Sequence, residues 1–121
     1  MPSRRRPADP AAVAAARAAY LAGTAGPAEL RLLTRALLAR LEETAPGHSV
    51  EVRVPPYAAV QVIPGVRHTR GTPPAVVEMD PPTWLDLALG ETTWVEAEAS
   101  GRVRASGQRA DLAPYLPLEP A

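Results

Sequence analysis

The spacing of the large apolar residues changes at Pro46-Gly47. Before this point, leucines recur at intervals of three and four residues, which predicts a helix with one apolar face. These leucines are Leu30, Leu33, Leu37, Leu38 and Leu41. After it, valines alternate with charged residues over residues 50–54, which predicts a strand with one buried face. A helical part followed by strands favours an α+β fold.

Capping residues set the bounds of the predicted amino-terminal helices. Asp9 and Pro10 suit the N-cap and the first position of a helix that continues to residue 22 and stops at Gly23. A second helix is predicted from Pro27 to about Thr44. At 121 residues the chain has the length of one domain. The predicted organisation is a flexible tail over 1–9 and a single domain over 10–121, helical over 10–44 and built of a sheet and short helices over 48–118.

Prolines, glycines and capping residues divide the rest of the chain into short segments. The segment 57–63 has apolar or small residues at nearly every position, so we expect both faces of this strand to be covered. Thr93 and Glu96 have the spacing of a capping box, which predicts a short helix behind them. The predicted elements are strands around 50–54, 57–63 and 75–79, helices over 81–89 and 94–99, a strand around 103–105, and an irregular helix in the tail 111–118.

Composition excludes several kinds of active site. The chain has no cysteine, which excludes disulfides, thiol catalysis and cysteine-ligated metal centres. All 13 positively charged side chains are arginines, and without lysine there is no Walker-type phosphate loop and no Schiff base. The formal net charge is zero, and no second basic cluster supports the arginines at 4–6. We therefore expect no nucleic-acid partner.

The amino terminus does not have the pattern of an export signal. Asp9, Pro10 and Arg17 interrupt its alanine-rich run. Its longest uncharged stretch ends at Ala28 and is far shorter than the ~20 apolar residues of a membrane span. We expect no membrane span and a cytoplasmic location.

The sequence contains no recognisable catalytic or metal-binding motif. No serine lies in a Gly-x-Ser-x-Gly elbow. The histidines, His48 and His68, are too far apart for a known ligand spacing. We therefore predict no catalytic residue, no metal site and no cofactor, and a protein that is not an enzyme.

The loop of residues 67–74 contains the most polar cluster of the chain, residues 67–72. Four of its side chains could bind a carboxylate or a phosphate: Arg67, His68, Arg70 and Thr72. The alternative is structural, with the arginines paired to Glu78 and Asp80 and the hydroxyl groups setting turns. Both interpretations need a loop of defined shape, which Gly71 and the paired prolines favour.

Large apolar side chains of the second half form the other candidate site. They could line a cleft between sheet and helices, where small-molecule sites of such folds tend to lie. The predicted cleft residues are Val60, Val62, Trp84, Leu87, Trp94, Leu112 and Tyr115, in a wider apolar set that includes Leu89, Val95 and Leu116. The alternative is that these residues form the core, because 32 large apolar side chains are few for a domain of 121 residues.

The segments 84–90, 93–97 and 100–107 follow one another as a helix, a short helix and a strand of alternating basic and apolar residues. Gly90, Gly101 and Gly107 mark their ends. This succession resembles the sterol carrier protein family. Upstream, 50–56, 59–61 and 68–74 are similar to its short bacterial, actinobacterial-type branch, so the resemblance covers about residues 48–118.

The resemblance implies an α+β domain with a mostly antiparallel, curved sheet and helices packed on one face. It also implies an apolar tunnel or cleft, and thus a non-enzymatic binding module for an apolar, acyl or lipid ligand. Related domains at the end of larger enzymes imply an alternative. In that alternative the chain is an interaction or accessory domain that contacts an enzyme or a second copy of itself and has no lipid ligand.

Overall fold

The computed structural model describes residues 8–65, 75–107 and 110–118. Most of the predicted amino-terminal tail and the whole polar loop 67–74 lie outside these ranges. The predicted elements are confirmed, with ends that differ by one or two residues. In chain order they are α1 (Pro10–Leu21), α2 (Pro27–Thr44), β1 (Val50–Val54), β2 (Ala58–Val62), β3 (Ala75–Met79), α3 (Pro81–Leu89), α4 (Trp94–Ala99), β4 (Val103–Ser106) and a 3-10 turn (Ala113–Tyr115).

Side-chain caps begin three of the four helices in the described ranges, as the sequence predicts. The Asp9 carboxylate accepts a hydrogen bond from the Ala11 amide at 3.2 Å, and the Asp80 carboxylate accepts one from the Thr83 amide at 2.9 Å. Thr93 caps α4 in the same way. These bonds satisfy amide groups that the first turn of a helix leaves without a partner.

The four strands form one sheet in the order β2-β1-β3-β4. The outer pairs, β1 with β2 and β3 with β4, are antiparallel, whereas the central pair β1 and β3 is parallel. The predicted α+β fold with a mostly antiparallel sheet is therefore confirmed. The parallel pair at its centre makes the sheet a mixed one.

The sheet buries one face against the helices. Val50, Val52 and Val54 of β1 are fully buried, in one core cluster with the apolar face of α2. Arg53 and Glu78, which point to the opposite face, are partly or fully exposed. The expectation that both faces of β2 are covered was wrong, since Ala59 and Gln61 are exposed. Within the described ranges, the helices cover only one side of the sheet, so the second set of alternating residues faces solvent.

The carboxy-terminal tail packs against the end of α3. Gly90 ends α3 in a left-handed conformation, with a φ of 82°. The Leu118 amide donates a hydrogen bond to the Ala88 carbonyl at 2.9 Å, and the Leu112 side chain is fully buried. Arg40 of α2 donates to the Leu118 carbonyl at 3.2 Å. These contacts hold the tail beside the start of α4.

Within the described ranges, none of the helices combines the length and the apolar character that crossing a membrane requires.

Candidate functional site

An apolar cleft of about 230 Å³ lies where the tail meets the start of α4. We call it the α4 cleft. One wall comes from the α3–α4 turn and the first residues of α4, and the other comes from the tail. Its lining residues are Gly90, Thr92, Thr93, Trp94, Val95, Ala113, Leu116 and Pro117. None of these side chains is charged, so the cleft offers mainly apolar contact.

The cap of α4 fixes the orientation of the two large residues in this wall. The Glu96 amide donates to the Thr93 hydroxyl at 3.1 Å, and the Thr93 amide donates to the Glu96 carboxylate at 3.2 Å. This reciprocal pair sets the direction of the first helical turn. As a result, Trp94 is 6% exposed and Val95 is 71% exposed. The cleft therefore has a buried indole on its inside and an exposed apolar side chain at its edge.

The structure brings few of the predicted cleft residues to this cleft. Of the seven, Trp94 alone is in its lining, together with Val95 and Leu116 from the wider apolar set. Tyr115 is partly buried next to it in sequence. The other five predicted residues lie in the core with at most 4% exposure; they are Val60, Val62, Trp84, Leu87 and Leu112. A ligand would reach those five only if the core opened.

Trp84 illustrates the difference between the two tryptophans. Its side chain is fully buried, and its indole N–H donates to the Thr34 carbonyl of α2 at 3.3 Å. The Thr34 hydroxyl is buried beside it, with no hydrogen-bond partner in the described part of the chain. Trp84 is thus a packing residue between α2 and α3, whereas Trp94 lines a surface cleft.

A polar groove of about 330 Å³ lies elsewhere on the domain. Its lining residues are Pro55, Glu78, Asp80, Thr83, Gly101, Arg102 and Arg104. Arg102 donates to the Asp86 carboxylate at 2.9 Å and to the Thr83 hydroxyl at 3.1 Å, so its guanidinium group is held in place. Sequence reasoning missed this cluster, because its members come from separate elements and share no spacing.

The same cluster attaches α1 to α3. The Tyr20 hydroxyl donates to the Asp86 carboxylate at 2.5 Å and lies 3.1 Å from the Pro82 carbonyl oxygen. Partial burial raises the pKa of Tyr20 well above its usual value, and the hydrogen bond and negative charge of Asp86 raise it further. Tyr20 therefore stays protonated at neutral pH and remains a hydrogen-bond donor.

The predicted anion-binding residues Arg67, His68, Arg70 and Thr72 lie outside the described residues. The carboxylates proposed as their structural partners have other contacts. Glu78 lies 3.8 Å from Arg53, and Asp80 caps α3. Among the described residues, no group of three or more His, Asp and Glu side chains is placed to hold a metal ion.

Comparison with protein-family models gives a match to a model described as a bacterial SCP ortholog, where SCP denotes a sterol carrier protein. The match covers residues 27–118, most of the chain. The chain belongs to the bacterial sterol carrier protein family. The resemblance inferred from the sequence is therefore confirmed. No curated protein matches the chain.

The matched span shows which elements form this sterol carrier domain. It begins at Pro27, the first residue of α2, and ends at Leu118, whose amide bonds to α3. It is thus wider than the 48–118 expected from the motifs and includes the leucine-rich helix α2. Both walls of the α4 cleft lie inside it, whereas α1 precedes it. The family is one of sterol- and lipid-carrier-like modules.

Proposed function

We propose that this sterol carrier domain is a non-enzymatic module that binds the end of an acyl chain in the α4 cleft. The observation that carries the proposal is Val95, which is 71% exposed at the edge of an apolar cleft. Covering such a side chain and the lining beneath it removes apolar surface from water, which favours an apolar ligand. Trp94 and Leu116 supply further apolar contact.

The size of the cleft limits how much of a ligand it can hold. Its volume of about 230 Å³ is below the ~300–1,000 Å³ that is usual for sites that enclose a small molecule. It exceeds the ~150 Å³ of an engineered apolar cavity that takes up benzene. The cleft therefore suits a short stretch of acyl chain, with the remainder of the ligand outside. A whole sterol nucleus is too large for it.

The polar side chains of the described residues support binding rather than catalysis. The Ser49 and Ser100 hydroxyls donate to the backbone carbonyls of Ile63 and Ala97. His48 Nδ1 lies 3.0 Å from the Gln61 amide oxygen. We retain a cytoplasmic location as a prediction that accompanies this function.

The two tryptophans provide a matched reporter and control. In the variant Trp84→Phe the remaining indole is Trp94 in the cleft, and in Trp94→Phe it is Trp84 in the core. Each variant is titrated with an eight-carbon acyl ester while tryptophan emission is recorded. We expect a saturable change when Trp94 is the reporter and almost none when Trp84 is. No saturable change at Trp94 would contradict the proposal.

A second pair of variants tests the edge of the cleft. Val95→Glu places a charge at the mouth and should weaken ester binding by at least about tenfold. Leu21→Glu is the control, because Leu21 on α1 is also a large exposed apolar residue but does not line the cleft. The affinity of Leu21→Glu for the ester should match that of the parent protein. Equal affinities for all three proteins would place any binding elsewhere.

The same exposed valine also favours the alternative function, a contact with another protein or a second copy. A shallow cleft of this volume could accept a protruding apolar side chain as well as an acyl chain. Light scattering over a range of protein concentrations distinguishes the two. A dimer that Val95→Glu dissociates would support the contact function. A monomer at all concentrations, together with ester binding, would support the acyl function.

A further inference from the structure

We propose that the α4 cleft selects acyl chains whose polar end is uncharged, such as esters and thioesters, over free carboxylates. This inference rests on the proposed function and specifies its ligand. It follows from the charges that surround the cleft. The lining itself has no side chain that would pair with an anion, and its polar side chains are the hydroxyls of Thr92 and Thr93.

Three carboxylates border the cleft. Glu96 is bonded to the lining residue Thr93, whose hydroxyl lies 3.0 Å from the Glu96 carboxylate. Asp111 accepts a hydrogen bond from the amide of the lining residue Ala113 at 2.9 Å. Glu91 lies in the α3–α4 turn between two lining residues and is exposed. Each wall of the cleft therefore has a negative charge next to it.

The charge that opposes them is smaller. Arg40 is bonded to the Leu118 carbonyl, one residue beyond the lining of the tail wall. Helix α3 ends at Gly90, where its carbonyl groups add a partial negative charge, and α4 begins at Trp94, where its amide groups add an opposing partial positive charge. Glu91, Glu96 and Asp111 thus place three negative charges on or next to lining residues, and Arg40 places one positive charge beside the tail wall.

An eight-carbon chain with a free carboxylate has to place its charge near these groups, because in such a short chain the carboxylate follows closely on the part that the cleft holds. The resulting repulsion weakens binding and decreases with added salt, since the groups are exposed and screened. An ester of the same chain length has no such penalty. The preference therefore comes from the rim of the cleft, and the apolar contact is common to both ligands.

The test compares octanoate with methyl octanoate at pH 7.5 and low salt, with Trp94 as the reporter. The rim variant is Glu91→Gln with Glu96→Gln, and glutamine at 96 retains the capping bond to Thr93. The control variant, Glu51→Gln with Glu78→Gln, removes the same charge on the open face of the sheet. We expect the rim variant to bind octanoate about two- to fivefold more tightly than the parent at low salt, a gain that 0.5 M salt removes.

The outcomes separate this inference from the proposed function. Methyl octanoate affinity should be the same in the parent, rim and control proteins, and the control should bind octanoate as the parent does. Octanoate binding that equals ester binding, with no effect of salt or of the rim variant, would overturn the charge preference and leave the proposed function intact. If neither ligand bound, the proposed function would fail, and the preference with it.

Discussion

Alkaline pH should destabilise the protein through Tyr20. The chain has no lysine and no cysteine, so tyrosines are the side chains that titrate between about pH 9 and 12. Burial and the bond to Asp86 raise the pKa of Tyr20 in the folded protein. An unfolded tyrosine ionises near pH 10. The unfolded state therefore loses a proton that the folded state keeps, and stability falls as the pH rises above about 10.

The size of this effect has an upper limit. One group that is ionised only in the unfolded state lowers the free energy of unfolding by about 1.4 kcal/mol per pH unit. Tyr20 is only partly buried, so solvent screening reduces that slope. At pH 7, Tyr20→Phe removes a hydrogen bond to the Asp86 carboxylate and should cost about 1 kcal/mol.

The assay is urea unfolding, followed by circular dichroism at pH 7, 10, 11 and 11.5. The parent protein should lose stability steeply above pH 10, and Tyr20→Phe should lose less over the same interval. Tyr57→Phe makes the same chemical change in the turn before β2 and should retain the loss that Tyr20 causes. An unchanged slope in Tyr20→Phe would refute the reasoning, because the loss would then have another origin.

Three further substitutions test the packing by thermal and urea unfolding. Thr34→Val should stabilise the protein by about 1 kcal/mol, since it removes a buried hydroxyl with no partner in the described residues. Thr44→Val is the control and should give no such gain, because it removes a hydroxyl that is bonded to the Arg40 carbonyl. A loss of stability in Thr34→Val would contradict the view that the buried Thr34 hydroxyl is destabilising. Gly47→Ala should cost at least about 2 kcal/mol, because a Cβ there would overlap the Ile63 carbonyl. Leu112→Ala should cost about 3 kcal/mol, and a neutral effect would show that the tail is not part of the core.

The elements could be predicted because their signals are local. Asp80 with a following proline begins α3, and Gly90 ends it. Thr93 and Glu96 begin α4 with a capping box. Each signal lies within four residues of the end that it sets, so the sequence contains all the information required.

The parallel pairing of β1 with β3 has no local signal. It joins Val52 to Val77 across a long connection, and alternation of apolar residues is the same in parallel and antiparallel strands. The prediction that both faces of β2 are covered was wrong for a related reason. The apolar and small residues at 57–63 show which side chains can be buried, but they do not show which face a helix covers. Both features depend on how the layers assemble.

The candidate site was predicted only in part for a similar reason. Apolar character predicts that Trp84 and Trp94 are buried, and both are. It does not predict that only Trp94 borders a cleft, because that depends on where the tail returns. The bond between Tyr20 and Asp86 spans 66 residues and has no periodic signal. The anion-binding role of Arg67, His68, Arg70 and Thr72 stays a prediction.

The binding of an acyl chain in the α4 cleft can be tested most directly by nuclear magnetic resonance. Methyl resonances and the two indole N–H resonances are followed while methyl octanoate is added to labelled protein. We predict saturable shifts of Val95, Leu116 and the Trp94 indole, with the Trp84 indole almost unchanged. Absence of any shift, or shifts centred on the open face of the sheet, would contradict acyl binding at the α4 cleft.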